Sequence, residues 1–206
     1  SATFSPVDEV VAPARKHVVS APAKTVEVLD VDKREMIALE VFCGKAALTR
    51  ALGKAGVKAQ GIDFKFNKDK PVGSVIWIDL SLPRGQAEFK ELCKAKDCRV
   101  VYAHFAPPCG TASRAREIRI KGAADPKPLR SNEHPDGVPG LAGENLKRVS
   151  GANELYSFTA KAIVFLHEQK IAWSVENPTN SLMWRTSFFC NLATLEAQGA
   201  FAHKEV

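Results

Sequence analysis

Cysteine is scarce in this chain: there are five, at positions 43, 93, 98, 109 and 190, an odd number with no framework spacing. That excludes a disulfide-stapled scaffold and favours a reducing compartment. Cys93 and Cys98 have no second pair at zinc-site spacing, so they read as core residues and no metal site is expected. Long apolar runs are missing too. The longest, such as Ile163–Leu166, are far too short for a membrane span. The first residues do not join a basic segment to an apolar stretch, so no secretory leader is expected. No internal repeat is evident. The expectation is an intracellular protein, nuclear in a eukaryote and cytoplasmic otherwise, with a monomer assumed.

What is present suits one domain with a substantial core: 206 residues, 45% hydrophobic and 25% charged. Residues 1–35 mix Val, Ala, Pro, Lys and Asp without sustained periodicity and read as a linker or tail, leaving 36–206 as the folded domain. A net charge of +6 and a pI near 9.1 lean toward a polyanionic partner. Much of the excess is local. From Arg114 to Arg130 six basic residues face only Glu117 and Asp125, a net of +4.

From Met36 onward strands alternate with helices or shorter connections. "MIALEVF" reads as a buried strand and "GKAALTRALGKAG" as a helix closed by Gly56. Further strands are predicted over 57–64, 72–80, 99–105 and 171–178, with helices over 85–97 and 152–170. In the second helix Leu155, Phe158, Ala162, Phe165 and Leu166 share one side. The pattern predicts an α/β domain with a doubly wound, mostly parallel sheet. Ligands of such sheets sit beyond the carboxyl ends of the strands. That rim carries Glu40–Gly44, Asp63, Asp79, Pro107–Cys109 and Glu176–Pro178.

A glycine turn after the first strand, followed 23 residues after Glu40 by Asp63 at the next strand end, has the layout of a nucleoside-cofactor site. The turn admits the ligand to the backbone, and the carboxylate accepts from ribose hydroxyls. "FCGKAAL" matches neither G-x-G-x-x-G nor the Walker lysine pattern, which weakens dinucleotide and nucleoside-triphosphate readings. S-adenosylmethionine is the remaining common ligand of this architecture, with Asp79 placed to accept from an adenine amino group. Each acid taken singly reads equally well as a turn cap; together they favour a cofactor.

In "AHFAPPCGTASRAR" two prolines stiffen the loop before Cys109, and small residues after it leave the thiol room. Arg114, Arg116 and Arg119 could favour a thiolate and attract phosphate. A buried core cysteine beside a solvated basic loop is the plain alternative. Glu176, in "WSVENP", tips the balance, because a fifth strand beside the fourth would bring its carboxyl toward Cys109. A thiol and a carboxyl together suit covalent attack on an electron-poor ring whose nitrogen the acid holds or protonates. Glu176 and Asn177 read equally well as caps of a helix starting near Asn180.

These stretches together resemble the cytosine-C5 DNA methyltransferase family. "LEVFCGKAALTRALGKAGVKAQGID" is similar to its cofactor motif, "FAPPCGTAS" to its nucleophile motif and "SVENP" to its glutamate motif, in family order across roughly 37–184. The resemblance implies a Rossmann-like class I methyltransferase fold. It implies that Phe42, Gly44, Asp63, Asp79 and Pro107 bind S-adenosylmethionine, and that Cys109 attacks C6 of a cytosine while Glu176 engages N3 and the exocyclic amine. Ser113, Arg114, Arg116 and Asn177 would contact substrate, DNA or alternatively RNA, with the base flipped out of any duplex. Residues 110–150 would form the closing loop. The chain departs from the family in "CGKAA" for its glycine-rich turn and in "ENP" for the more frequent "ENV". "FAHKEV" reads as the start of a sixth strand, and the family's later arginine motif, C-terminal strands and target-recognition region have no counterpart. A truncated or minimal member is therefore expected, with a non-catalytic nucleic-acid-binding domain or an assembly module as the alternatives.

Overall fold

The run EMIALEV forms β1 (Glu35–Val41), whose last five residues are buried, as befits a strand covered on both faces. The computed structural model describes residues 34–66, 68–113 and 127–197, with side chains as far as Leu192. These residues belong to one compact unit beginning at Arg34; the tail assigned to 1–35 lies almost wholly outside the described residues. After β1 come α1 (Ala47–Lys54), β2 (Ala59–Asp63), β3 (Val75–Trp77), α2 (Pro83–Cys93), β4 (Cys98–Phe105), α3 (Gly143–Glu168) and β5 (Ala172–Val175). A 3-10 turn (Leu182–Arg185) and α4 (Ser187–Ala197) follow.

The five strands form one all-parallel sheet in the order β3-β2-β1-β4-β5. The fold is mixed α/β and compatible with a Rossmann-like arrangement. Strand order reverses direction between β1 and β4, which opens a crevice at their carboxyl ends. Alternation along β1 sends Leu39 and Val41 to one face. There they join Ala103 and Phe105 of β4, Phe89 of α2, and Phe158, Ala162 and Leu166 of α3 in the main core. Phe89 meets Phe105 and Phe158 edge-on, with centroids 6.0 and 5.3 Å apart. Glu40 points to the opposite face, where α1 lies. Its buried carboxylate accepts from the Thr49 backbone and hydroxyl, each at 2.6 Å. A negative charge thus sits at the amino end of a helix that has no side-chain cap of its own.

Proline at the first turn of α2 suits a position whose N–H has no helical partner. Gly85 is required there, because a Cβ would fall 2.0 Å from the Asp79 carbonyl oxygen. That contact seats α2 directly under the loop leaving β3.

The structure corrects several boundaries. The strand expected over 72–80 is only the three residues of β3. Residues 143–150, placed in a closing loop, are the first two turns of α3. Their side chains are almost all exposed, so they carry no apolar periodicity to betray a helix. The helix expected to start near Asn180 begins as a 3-10 turn at Leu182 and becomes α4 at Ser187, and its cap is neither Glu176 nor Asn177 but Ser181, which accepts from the Met183 N–H at 3.3 Å. α4 packs with the 3-10 turn on α3 through Leu182, Met183, Phe189 and Leu192 against Ala152, Tyr156, Ala160 and Ile163. The sixth strand read in "FAHKEV" lies outside the described residues, as does the middle of the expected closing loop, 114–126. No helix among the described residues is long and apolar enough to cross a membrane.

Candidate active site

A cavity of about 530 Å³ opens at the carboxyl ends of β1, β2 and β3. Phe42, Gly44, Asp63 and Asp79, four of the five residues expected at a cofactor site, line it. The fifth, Pro107, does not: it is buried, and Pro108 forms the wall. Consecutive residues of an extended loop point to opposite sides, and it is the second proline that faces the crevice.

The turn after β1 is conformationally costly. Phe42, Gly44 and Ala46 all have positive φ, at 60°, 50° and 54°, a region that costs non-glycine residues about 1–3 kcal/mol each. Asp63 stabilises it. One of its carboxylate oxygens accepts from the Gly44 N–H at 2.6 Å and the other from the Phe64 N–H at 2.7 Å. Phe42 is held edge-on to Phe158 of α3, with centroids 6.4 Å apart. Asp79 caps a turn by accepting from the Ser81 backbone at 3.0 Å and hydroxyl at 2.6 Å. The turn-cap and cavity readings of Asp79 therefore both hold.

Two lining residues carry no sequence signal that singles them out. Asp69 sits in the charged run "FKFNKDKP" and brings a third carboxylate to the cavity. Gly151 interrupts an otherwise regular helix pattern. It places α3 against the cavity, and a Cβ added there would meet no protein atom within 4 Å. Among the described residues the lining contains three aspartates and neither lysine nor arginine.

Beyond the cavity wall comes the cysteine loop. Cys109 is a half-buried free thiol. Ala112 and Ser113 both donate backbone N–H groups to its carbonyl, at 2.9 and 2.8 Å, so Ser113 closes the turn that presents the thiol. β5 does lie beside β4, with Phe105 paired to Val175. The Glu176 N–H donates to the Phe105 carbonyl at 2.8 Å, and the exposed Glu176 side chain follows directly. Asn177, expected to meet substrate, instead donates its amide to the Pro107 carbonyl at 2.8 Å inside the protein. Its side-chain oxygen is buried without a hydrogen-bond partner among the described residues.

Arg130, counted by sequence only toward the local positive charge, is 2% exposed and stacks over the Tyr156 ring at 5.2 Å. Arg114 and Arg116 lie outside the described residues.

Electrostatics separate the cysteines and the histidine nearby. Burial, then the charges of Asp63 and Glu40, push the Cys43 thiol up to about 12, which leaves it an inert core group. Burial likewise pushes Cys93 up to about 12, with Cys98 adding to the effect. His104 on β4 contacts Ser174 of β5 through Nδ1 at 2.8 Å, and the Tyr102 hydroxyl contacts the same serine at 2.6 Å. Burial lowers the His104 pKa, and Glu40 and Glu176 oppose that shift. Among the described residues, no group of three or more His, Cys, Asp and Glu side chains is arranged to hold a metal ion. No protein-family model matches the chain, and no curated protein matches it.

Proposed function

We propose that this chain methylates C5 of cytosine in DNA, using S-adenosylmethionine and a covalent bond from Cys109 to C6 of the base. One observation carries the proposal: a cavity lined, among the described residues, by three aspartates and no basic residue shares its Pro108 wall with a free cysteine loop. Carboxylates repel the phosphates of a dinucleotide or nucleoside triphosphate, and they favour a ligand with a sulfonium, an ammonium and hydroxyl donors. Asp63 and Asp79 would take the hydroxyl and amino donors, Gly44 and Phe42 would border the ligand, and Asp69 adds negative charge. When bound, the cofactor supplies a methyl group attached to a positively charged sulfur.

The remaining chemistry belongs to the chain. The Cys109 thiolate adds to C6, while the Glu176 carboxyl holds N3 and the exocyclic amine and stabilises the charge that the addition places on the ring. C5 thereby becomes nucleophilic. After alkylation at C5, loss of the C5 proton returns the electron pair to the C5–C6 bond and expels the thiolate. The ring faces of a duplex are hidden, so the base reaches Cys109 flipped out or single-stranded.

The test is transfer of a radiolabelled methyl group to cytosine-containing DNA, run beside RNA of the same sequence. Label is expected on C5 of deoxycytidine with the wild-type chain and to be lost with Cys109→Ser. Label on RNA alone would move the activity to that substrate. A chain that binds S-adenosylhomocysteine yet labels neither would refute the proposed transfer.

A further inference from the structure

Prolines at 107 and 108 have no N–H, so at these two residues the only backbone hydrogen-bonding handles are their carbonyl oxygens. Both handles are gripped by side chains from elsewhere. Asn177 holds the first, and the Tyr156 hydroxyl of α3 donates to the Pro108 carbonyl at 2.8 Å. Tyr156 does not act alone. Thr111 Oγ1 accepts from Arg130 Nε at 3.2 Å and Nη2 at 3.1 Å, and the same guanidinium stacks over the Tyr156 ring at 5.2 Å. The other Arg130 contacts are to the Pro135 carbonyl at 2.7 Å and the Val149 carbonyl at 3.5 Å. These four contacts are all to neutral oxygens. The buried cation therefore holds Thr111 by hydrogen bonds and the Tyr156 ring by stacking, and Tyr156 holds the carbonyl immediately before Cys109.

An apolar side chain would fill the same space without the cost of desolvating a guanidinium. What the cation adds is direction, since its fixed fork of N–H donors orients the Thr111 hydroxyl while its face is set against the Tyr156 ring. Pro108 is fixed on one side of Cys109 and Thr111 on the other.

We infer that Arg130, Thr111 and Tyr156 are positioning residues that hold the Cys109 thiol half-buried and aimed for attack. The inference rests on Cys109 being the nucleophile proposed above. Misplacing a reacting atom by about 1 Å costs on the order of a hundredfold in rate, so loss of one link is expected to slow methyl transfer by about tenfold or more.

The experiment uses Tyr156→Phe, which keeps the ring that Arg130 stacks on, and Thr111→Val, with Thr111→Ser as the variant that restores the hydroxyl. Two rates are measured on each chain: methyl transfer, and alkylation of individual cysteines by iodoacetamide, read by peptide mass. Tyr156→Phe and Thr111→Val should slow transfer and speed alkylation of Cys109, because the loop no longer keeps the thiol half-buried. Thr111→Ser should behave as wild type, since it keeps the oxygen that accepts from Arg130. Cys43 is the internal control for unfolding, and it should stay unreactive throughout. Unchanged Cys109 alkylation in both variants would overturn the inference. Should the wild-type chain transfer no methyl group while Cys109 alkylation still responds as described, the positioning network stands and the proposed reaction does not.

Discussion

The Asn177 amide donates to the Pro107 carbonyl across 2.8 Å, although the two residues are 70 positions apart. It joins the residue after the proposed acid to the residue two before the proposed nucleophile. Both groups are thereby set by one buried hydrogen bond as well as by the pairing of β4 with β5.

Replacing Asn177 tests that bond. Asn177→Ala leaves the Pro107 carbonyl without a donor, at a cost of about 1–3 kcal/mol for a buried group. Asn177→Asp should be worse, since an ionised carboxylate offers only acceptors to a carbonyl oxygen. Urea unfolding at neutral pH should rank wild type above Ala and Ala above Asp.

Gly151 separates binding from stability. Nothing in the protein lies within 4 Å of a Cβ added there, and alanine is favoured over glycine inside a helix by roughly 0.5–1 kcal/mol. Gly151→Ala should therefore raise the unfolding midpoint. Gly151→Leu projects into the cavity and should weaken binding of S-adenosylhomocysteine by isothermal titration while the chain stays folded. Undiminished binding by Gly151→Leu would place the cofactor elsewhere.

His104 gives the stability a pH dependence of definite sign. Burial lowers its pKa below the ordinary value of 6.5, so just below 6.5 the unfolded chain binds more protons than the folded one. Its contribution is present in full above 6.5 and is lost as the pH falls from there toward the folded value. In urea unfolding at pH 7.5, 6.5 and 5.5, wild type should weaken with acid more steeply than His104→Asn. Parallel slopes for the two proteins would contradict this assignment.

The sheet was legible because parallel strands buried on both faces leave continuous apolar runs, as in "MIALEVF", and because strand-end acids and Gly56 mark the punctuation. The cavity was legible where local chemistry is unusual, at the strand-end acids Asp63 and Asp79 that line it. The site was illegible where role depends on what the fold places nearby. Arg130 looks like any other charge in a basic run, yet long-range packing buries it under Thr111 and against Tyr156. Tyr156 itself falls within an ordinary helical segment, and only its hydroxyl's reach to Pro108 distinguishes it. The first two turns of α3 are nearly all exposed, so hydrophobic periodicity could not report them.

Covalent trapping tests the proposed reaction most directly. A fluorine at C5 cannot leave as a proton does, so an adduct formed at C6 and alkylated at C5 stays on the protein. DNA carrying 5-fluorocytosine, incubated with the chain and S-adenosylmethionine, should give a denaturation-resistant complex whose linked peptide contains Cys109. Cys109→Ser should form none and Glu176→Gln far less. Equal trapping by Cys109→Ser would show that the nucleophile is not Cys109 and would contradict the account.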